Sequence, residues 1–296
     1  MSWLRLQRRL APYCFIAPFF VLYAIFWAYP VVRGFWSSLH SDGGFSGEPE
    51  WIGFENYRTL FFDERFHKAL INTSIYALGS VFLIVPIALL IALALDHDWL
   101  RGRTFWRVAF VSPVVVGAPI IAIMFVLVFD QQYGVLNSYV IEPLGLSPIG
   151  WLRDPNWALP AIILLGIWRY VGLNSLYFVV GLTNIPKELK EAAALDGASR
   201  WEIFRSVTLP LLRPITAFVV TIAIIGSYKL FAEPIILFGG PGPSDSAMTV
   251  MVYLYTMAFT SVRFGYAAAI GYSLVVIIAI LSVVQLRFFG VFRDDE

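Results

Sequence analysis

The polar residues able to do chemistry are few, and most of them sit inside apolar sequence. Lys229 and Glu233 lie four residues apart in an otherwise apolar stretch, a spacing that puts both on one face of a helix. A charge at a bilayer centre costs roughly 2.5–3.5 kcal/mol on insertion scales, so two of them there need a reason. Either they neutralise each other as an ion pair at a helix interface, or they face a solute path where a hydroxyl-rich ligand finds donors and acceptors. Pro234 frees a carbonyl one turn back, which suits a helix lining a cavity. A second group is Trp168, Arg169 and Tyr170, with Asn174, Tyr177 and Gly181 following Tyr170 at steps of four, three and four. Aromatic rings cover the apolar face of a sugar while a few polar groups take its hydroxyls. The same residues also read as an interfacial aromatic belt (Trp157, Trp168) and as helix-packing polarity at Asn174. His40, His67 and His97 are scattered, and the sequence has no Ser/His/Asp set and no metal-ligand cluster. It contains no G-x-x-x-x-G-K-[ST] phosphate loop; no Gly-Lys pair occurs anywhere. The chain is therefore read as a non-enzyme that binds no cofactor or metal of its own.

These residues need elements to hold them, and composition names the kind. Of 296 residues, 59% are hydrophobic and 14% charged, against about 25% charged in a soluble domain. The mean hydropathy is +0.74. That excludes a cytosolic enzyme and a disordered chain, and a net charge of +1 excludes a nucleic-acid binder. Cys14 is the single cysteine and is read as a packing residue. Six apolar stretches are long enough to cross a bilayer as helices, at about 10–36, 71–95, 106–129, 157–182, 214–238 and 264–287. No strand-like alternation offers a β-barrel instead. The first stretch exceeds a signal-peptide core and lacks a small-x-small cleavage site, so it is read as a retained helix. The expected fold is an all-α integral membrane protein of six transmembrane helices, one transmembrane domain over 1–296.

Basic residues orient it. One side carries Arg5, Arg8, Arg9, Arg101, Arg103, Arg107, Lys187, Lys190, Arg200, Arg205, Arg213, Arg287 and Arg293; the other carries Arg58, Arg65, Lys68, Arg153 and Arg263. The positive-inside rule then places both termini in the cytoplasm.

The segment 183–213, between the fourth and fifth stretches, is far more polar than its neighbours yet patterned for folding. Pro186 suits the first turn of a helix, and Glu188 faces the positive end of its dipole. Gly197 suits the left-handed residue that closes it. Ser199 and Glu202 form a capping box for a second short helix, with Ile203, Phe204 and Val207 on one face and Pro210 at its end. Ala192, Ala193 and Ala194 leave a smooth surface that a partner backbone can approach. Two readings stand: an amphipathic helix resting on lipid, or a docking element for another protein.

Glu191-Ala192-Ala193, then Asp196-Gly197, then nine residues to Val207-x-Leu209-Pro210, resembles the EAA loop of binding-protein-dependent ABC transporter permeases, with Val207 where isoleucine is usual. Trp51-Ile-Gly-Phe-Glu-Asn-Tyr57 followed by Asn72-Thr73 resembles the first external loop of sugar permeases. Gly239-Gly-Pro-Gly-Pro243, Tyr253-Leu-Tyr255, Ala258-Phe259 and Gly265-Tyr266-Ala267 resemble the end of the same family. Within it the chain is similar to the first of two permease subunits, of maltose, lactose and glycerol-phosphate type. The resemblance implies a type I ABC importer permease fold in a bacterial or archaeal cell membrane. It implies that Glu188, Glu191, Ala192, Ala193, Asp196, Gly197, Phe204, Leu209 and Pro210 belong to a coupling helix docking on an ATPase. The implied partners are a second homologous permease, two ATPase copies that use ATP and Mg, and an extracytoplasmic solute-binding protein. It also implies that the fourth and fifth spans line the solute path, which brings in Tyr228 beside Trp168, Arg169, Tyr170, Asn174, Tyr177, Lys229 and Glu233. The expected solute is a di- or oligosaccharide; glycerol phosphate or its diesters form the alternative within the family. From a different class, an ion-coupled secondary transporter relaying through Lys229 and Glu233 stays open, though no inverted repeat supports it.

Overall fold

The computed structural model describes residues 2–41, 48–97 and 100–290, with side chains from residue 11 onward. The side chains of Arg5, Arg8 and Arg9 and the whole of Arg293, counted above for orientation, lie outside the described residues. Among the described residues the chain is helical throughout; the only β-type pairing is an isolated antiparallel bridge, His40 to Trp51. Four helices are long and apolar enough to cross a membrane: Ala11–Ser38, Glu64–Asp96, Pro155–Thr183 and Phe264–Phe288. Two bent pairs bring the number to as many as six.

The third predicted stretch, 106–129, is one such pair. Helices Arg103–Val115 and Ala118–Val128 meet at 97°. Gly117 is extended there (φ −57°, ψ 139°), and Pro119, in the first turn of the second helix, has no N–H to continue the first. The fifth stretch, 214–238, is also not one helix. Arg213–Tyr228 stops at Lys229, and Phe231 (φ −137°, ψ −54°) precedes a separate helix, Ala232–Phe238. Pro234 falls in that helix's first turn, where its missing N–H costs nothing.

Proline also explains a recurrent local device. Wide π-type turns occupy Ala24–Ala28, Ser80–Ile84, Asn137–Ile141 and Phe204–Thr208. Each ends two residues before a proline (Pro30, Pro86, Pro143 and Pro210), whereas a fifth such turn, Thr256–Thr260, has Val262 at that place. A proline inside a helix lacks a donor and crowds the carbonyl one turn earlier; widening that turn absorbs both effects.

Contacts group the chain into two units, 1–63 with 254–273, and 64–253 with 274–296. In the first, Asn56 Nδ2 donates to the carbonyls of Ser38 (2.9 Å) and His40 (3.0 Å), tying the short helix Glu55–Phe61 to the end of helix 11–38. No residue in the apolar window of that long helix is buried by the chain itself.

In the second unit helix 155–183 is central, and small residues let its neighbours approach closely. A Cβ on Gly172 would lie 1.7 Å from the carbonyl oxygen of Phe110, and one on Gly166 would lie 2.6 Å from the Tyr76 hydroxyl. Ala158, Ala161, Ile162, Leu165 and Phe178 are fully buried along the same helix. Outside the spans, buried Asn137 organises the segment after helix 118–128. Its Nδ2 donates to the carbonyls of Gln131 (3.0 Å) and Ile149 (2.9 Å), and its Oδ1 accepts from Ile149 N and Trp151 Nε1, both at 3.1 Å.

Candidate functional site: an intramembrane cavity and a capped surface loop

Helices 64–96, 155–183 and 213–228 and the break after Tyr228 enclose a cavity of about 390 Å³ within the second unit. Its charged wall is built by adjacent residues on helix 155–183. Arg169 Nη1 lies 2.7 Å from Glu233 Oε1, and the Tyr170 hydroxyl donates to the same oxygen at 3.0 Å. Glu233 is 4% exposed and sits in the first turn of helix 232–238, where the helix dipole favours an acid. Arg169 keeps its Nε buried and without a hydrogen-bond partner among the described residues. Of the two readings left open for Lys229 and Glu233, the mutual ion pair is not formed among the described residues, and both line the cavity. The i,i+4 relation requires one continuous helix, and the break at 229–231 removes it.

Lys229 caps the C-terminal end of helix 213–228, where a cation is favoured, and it lines the cavity as an exposed residue. Asn174 donates from Nδ2 to the Tyr170 carbonyl (2.8 Å), which leaves its side-chain oxygen to the cavity it lines. The Tyr177 ring packs edge-on against Phe218, with centroids 5.3 Å apart. The cavity therefore gathers Arg169, Tyr170, Asn174, Tyr177, Lys229 and Glu233. It does not gather the other two candidates. Trp168 points elsewhere, its ring 5.3 Å from that of Phe125. Tyr228 is buried and shares a 2.9 Å hydrogen bond with the Ser74 hydroxyl. Tyr76 and Ser80 line the cavity without having been singled out; the polar positions 72, 76 and 80, at steps of four in an apolar span, were the available signal.

Such a wall offers rings, an amide oxygen, a carboxylate already paired and an ammonium with room for a ligand. That set can hold a polyhydroxylated solute by hydrogen bonding and ring contact. It provides no nucleophile with a base beside it.

The second region is the loop. Helix Lys187–Leu195 has Pro186 at its N-cap, one residue earlier than expected, and Glu188 in its first turn. It closes in a Schellman arrangement: Ala198 N donates to Ala193 O (3.0 Å) and Gly197 N to Ala194 O (3.1 Å), with Gly197 left-handed at φ +83°. The predicted capping box is present. Glu202 N donates to Ser199 Oγ (3.3 Å) and Ser199 N to Glu202 Oε2 (2.6 Å). The donation from the Ser199 backbone, followed by that from its hydroxyl, holds the Glu202 carboxyl below the usual carboxylate range. Pro210 does not end the second helix; the wide turn 204–208 carries it through to Leu211 and a 63° bend into helix 213–228. Glu188, Glu191, Ala192, Asp196, Gly197 and Leu209 are exposed, while Ala193, Phe204 and Pro210 are half-buried. Leu195 is 88% exposed and Trp201 66%, two apolar side chains held in the open by a rigid turn.

Comparison with known proteins gives a consistent answer. The family model described as "Binding-protein-dependent transport system inner membrane component" matches residues 65–290. The arabinooligosaccharides transport system permease protein of Bacillus subtilis (strain 168) is 34% identical over 289 residues, covering 98% of this chain and 91% of that protein. The lactose transport system permease protein of Rhizobium radiobacter is 33% identical over 275 residues, covering 92% and 91%. Among solved structures, a chain of a bacterial alginate ABC transporter in complex with alginate pentasaccharide-bound periplasmic protein superposes with a TM-score of 0.80 at 25% identity, covering 97% of this chain and 95% of that one.

Proposed function

The chain belongs to the family of binding-protein-dependent transport system inner membrane components, and from that premise we propose that it is a membrane-spanning subunit of an ATP-driven importer of a sugar, a di- or oligosaccharide. The observation that carries the proposal is the segment 186–210: a polar helical corner fixed by its own caps, with Leu195 and Trp201 bared at its surface. A segment resting on lipid needs no such rigidity, whereas a lever that transmits force does.

In this reading residues 1–296 form one permease domain. Helices 103–115 and 118–128 count together as the third span and helices 213–228 and 232–238 as the fifth, which with the four long helices gives six, and both termini face the cytoplasm. Two copies of a separate ATPase subunit, using ATP and Mg, grip Glu188 to Pro210. Their closure reaches the spans through the bend at Leu212, and a second, homologous permease completes the path. A solute-binding protein delivers the sugar from the opposite side; the similar alginate transporter is in complex with an alginate pentasaccharide-bound periplasmic protein. Tyr170 and Tyr177 supply ring faces, and Asn174 and Lys229 take hydroxyls.

Leu195→Asp and Ala192→Trp change exposed side chains without touching the core. Both are expected to abolish copurification of the ATPase subunit with the tagged chain, and with it ATP-dependent uptake in proteoliposomes of the assembled complex. If ATPase recovery and uptake both persist in the two variants, the docking role is wrong.

A further inference from the structure

We propose that helix 103–115 carries a binding site for one anionic phospholipid, separate from the solute cavity. Arg107, Val111 and Val115 follow one another at steps of four along this helix, with Val108 and Ser112 beside them. At 1.5 Å per residue the stripe is about 12 Å long. Together with Val116 and Leu176 these residues line a groove of about 590 Å³. Its far wall is fixed, because Gly172 brings helix 155–183 against the Phe110 carbonyl, and the 97° bend after Val115 shapes its end.

The groove is polar at one end only. Ser112 spends its hydroxyl proton on the Ala109 carbonyl at 2.8 Å, so the long wall is hydrocarbon. Arg107, at the N-terminal end of the stripe, also lines the groove, and its Nε is buried without a hydrogen-bond partner among the described residues. A buried guanidinium donor left unpaired is costly, and an anion is the natural acceptor. The depth fits a headgroup. Phe105 (68% exposed) and Trp106 (43%) immediately precede Arg107, and exposed aromatics of this kind sit at the membrane–water interface. A ligand matching both ends has an anionic head and an apolar tail, which is the chemistry of phosphatidylglycerol rather than of free phosphate or of another polypeptide.

The test is native mass spectrometry of the full chain, purified with its partner subunits in detergent containing phosphatidylglycerol or phosphatidylcholine. The wild type is expected to retain phosphatidylglycerol over phosphatidylcholine by about fivefold, the factor a single arginine near anionic headgroups supplies. R107Q should bring the two to parity. V111W, which fills the groove and leaves the charge, should reduce retention of both lipids; if R107Q fails to assemble, V111W decides. Equal retention of the two lipids by the wild type overturns the site, as does a phosphatidylglycerol preference that survives R107Q or an undiminished retention of phosphatidylglycerol by V111W. Competition by millimolar inorganic phosphate shows a simple anion site and also overturns it. So does efficient cross-linking of Val115→Cys to another subunit, which would mean that protein covers the groove.

Discussion

Arg169 and Glu233, 64 positions apart, are joined by a 2.7 Å ion pair across the wall of the intramembrane cavity, and Tyr170 donates to the same carboxylate oxygen. The pair fastens the middle of helix 155–183 to the short helix that follows the break at Lys229–Phe231. It thus fixes where the fifth apolar stretch stops and restarts, and it leaves Lys229 as a cavity cation with no carboxylate partner among the described residues.

Breaking that pair from one side strands a charge. Arg169→Met leaves the Glu233 carboxylate buried with only the Tyr170 hydroxyl, and removing one partner of a buried pair costs about 3–5 kcal/mol. Thermal unfolding in detergent should show a large drop for Arg169→Met and for Glu233→Leu. The double variant should recover most of it, because replacing both charges removes the desolvation cost together with the attraction. A double variant as unstable as the sum of the singles would show that the pair is not a coupled unit.

Two glycines should respond in opposite directions. Gly172→Ala forces a methyl against the Phe110 carbonyl at 1.7 Å, so helices 103–115 and 155–183 must separate, with an overpacking cost of about 1–3 kcal/mol or more. Gly226, inside helix 213–228, has open space where a Cβ would go, and Gly226→Ala should stabilise by up to about 1 kcal/mol through helix propensity. Melting temperatures of the two variants in one detergent check the signs.

What the sequence made legible follows from range. The apolar stretches are read directly because a bilayer demands about 20 consecutive residues. The loop's caps are read because Ser199 and Glu202, or Gly197 and the helix before it, interact within a few positions. The break at Gly117 had a local signal, Pro119 two residues on, that the run of apolar residues masked; the break at Phe231 had no such signal at the residue itself. Because the second break was hidden, the i,i+4 spacing of Lys229 and Glu233 kept an ion pair open as one of two readings, and that pair does not form among the described residues. Arg169 as the true partner is a tertiary fact, as is the arrival of Tyr76 and Ser80 from helix 64–96.

Glu202 should make the loop sensitive to acid. Its carboxyl titrates below the ordinary value of 4.5 in the folded chain, chiefly because the Ser199 backbone N–H donates to it. A group depressed in the folded state contributes stability that is complete above its unfolded pKa and is lost as pH falls through the folded one. Amide protection over 199–204 is therefore expected to hold from neutral pH to about 4.5 and to fall below it. Glu202→Gln should flatten that profile. Ser199→Ala should lower protection at every pH, by the about 0.5–2 kcal/mol typical of a lost N-cap. Hydrogen–deuterium exchange read at peptide resolution distinguishes the two.

Lys229 should separate binding from stability, which Arg169 and Glu233 cannot. It lines the cavity, is exposed, and lies at the C-terminal end of helix 213–228, so its removal strands no buried charge. Lys229→Gln retains a donor and Lys229→Met removes it, and neither should shift the melting temperature by more than the few tenths of a kcal/mol of a helix-end charge. If the ammonium holds a solute hydroxyl during passage, uptake by the assembled complex should fall by about tenfold in Lys229→Met, the equivalent of one charge-assisted hydrogen bond, and recover in part in Lys229→Gln. Binding of sugar to the isolated solute-binding protein stays unchanged in both, which assigns the loss to the membrane path. Full uptake by Lys229→Met would show that the solute passes this cavity without touching its free cation.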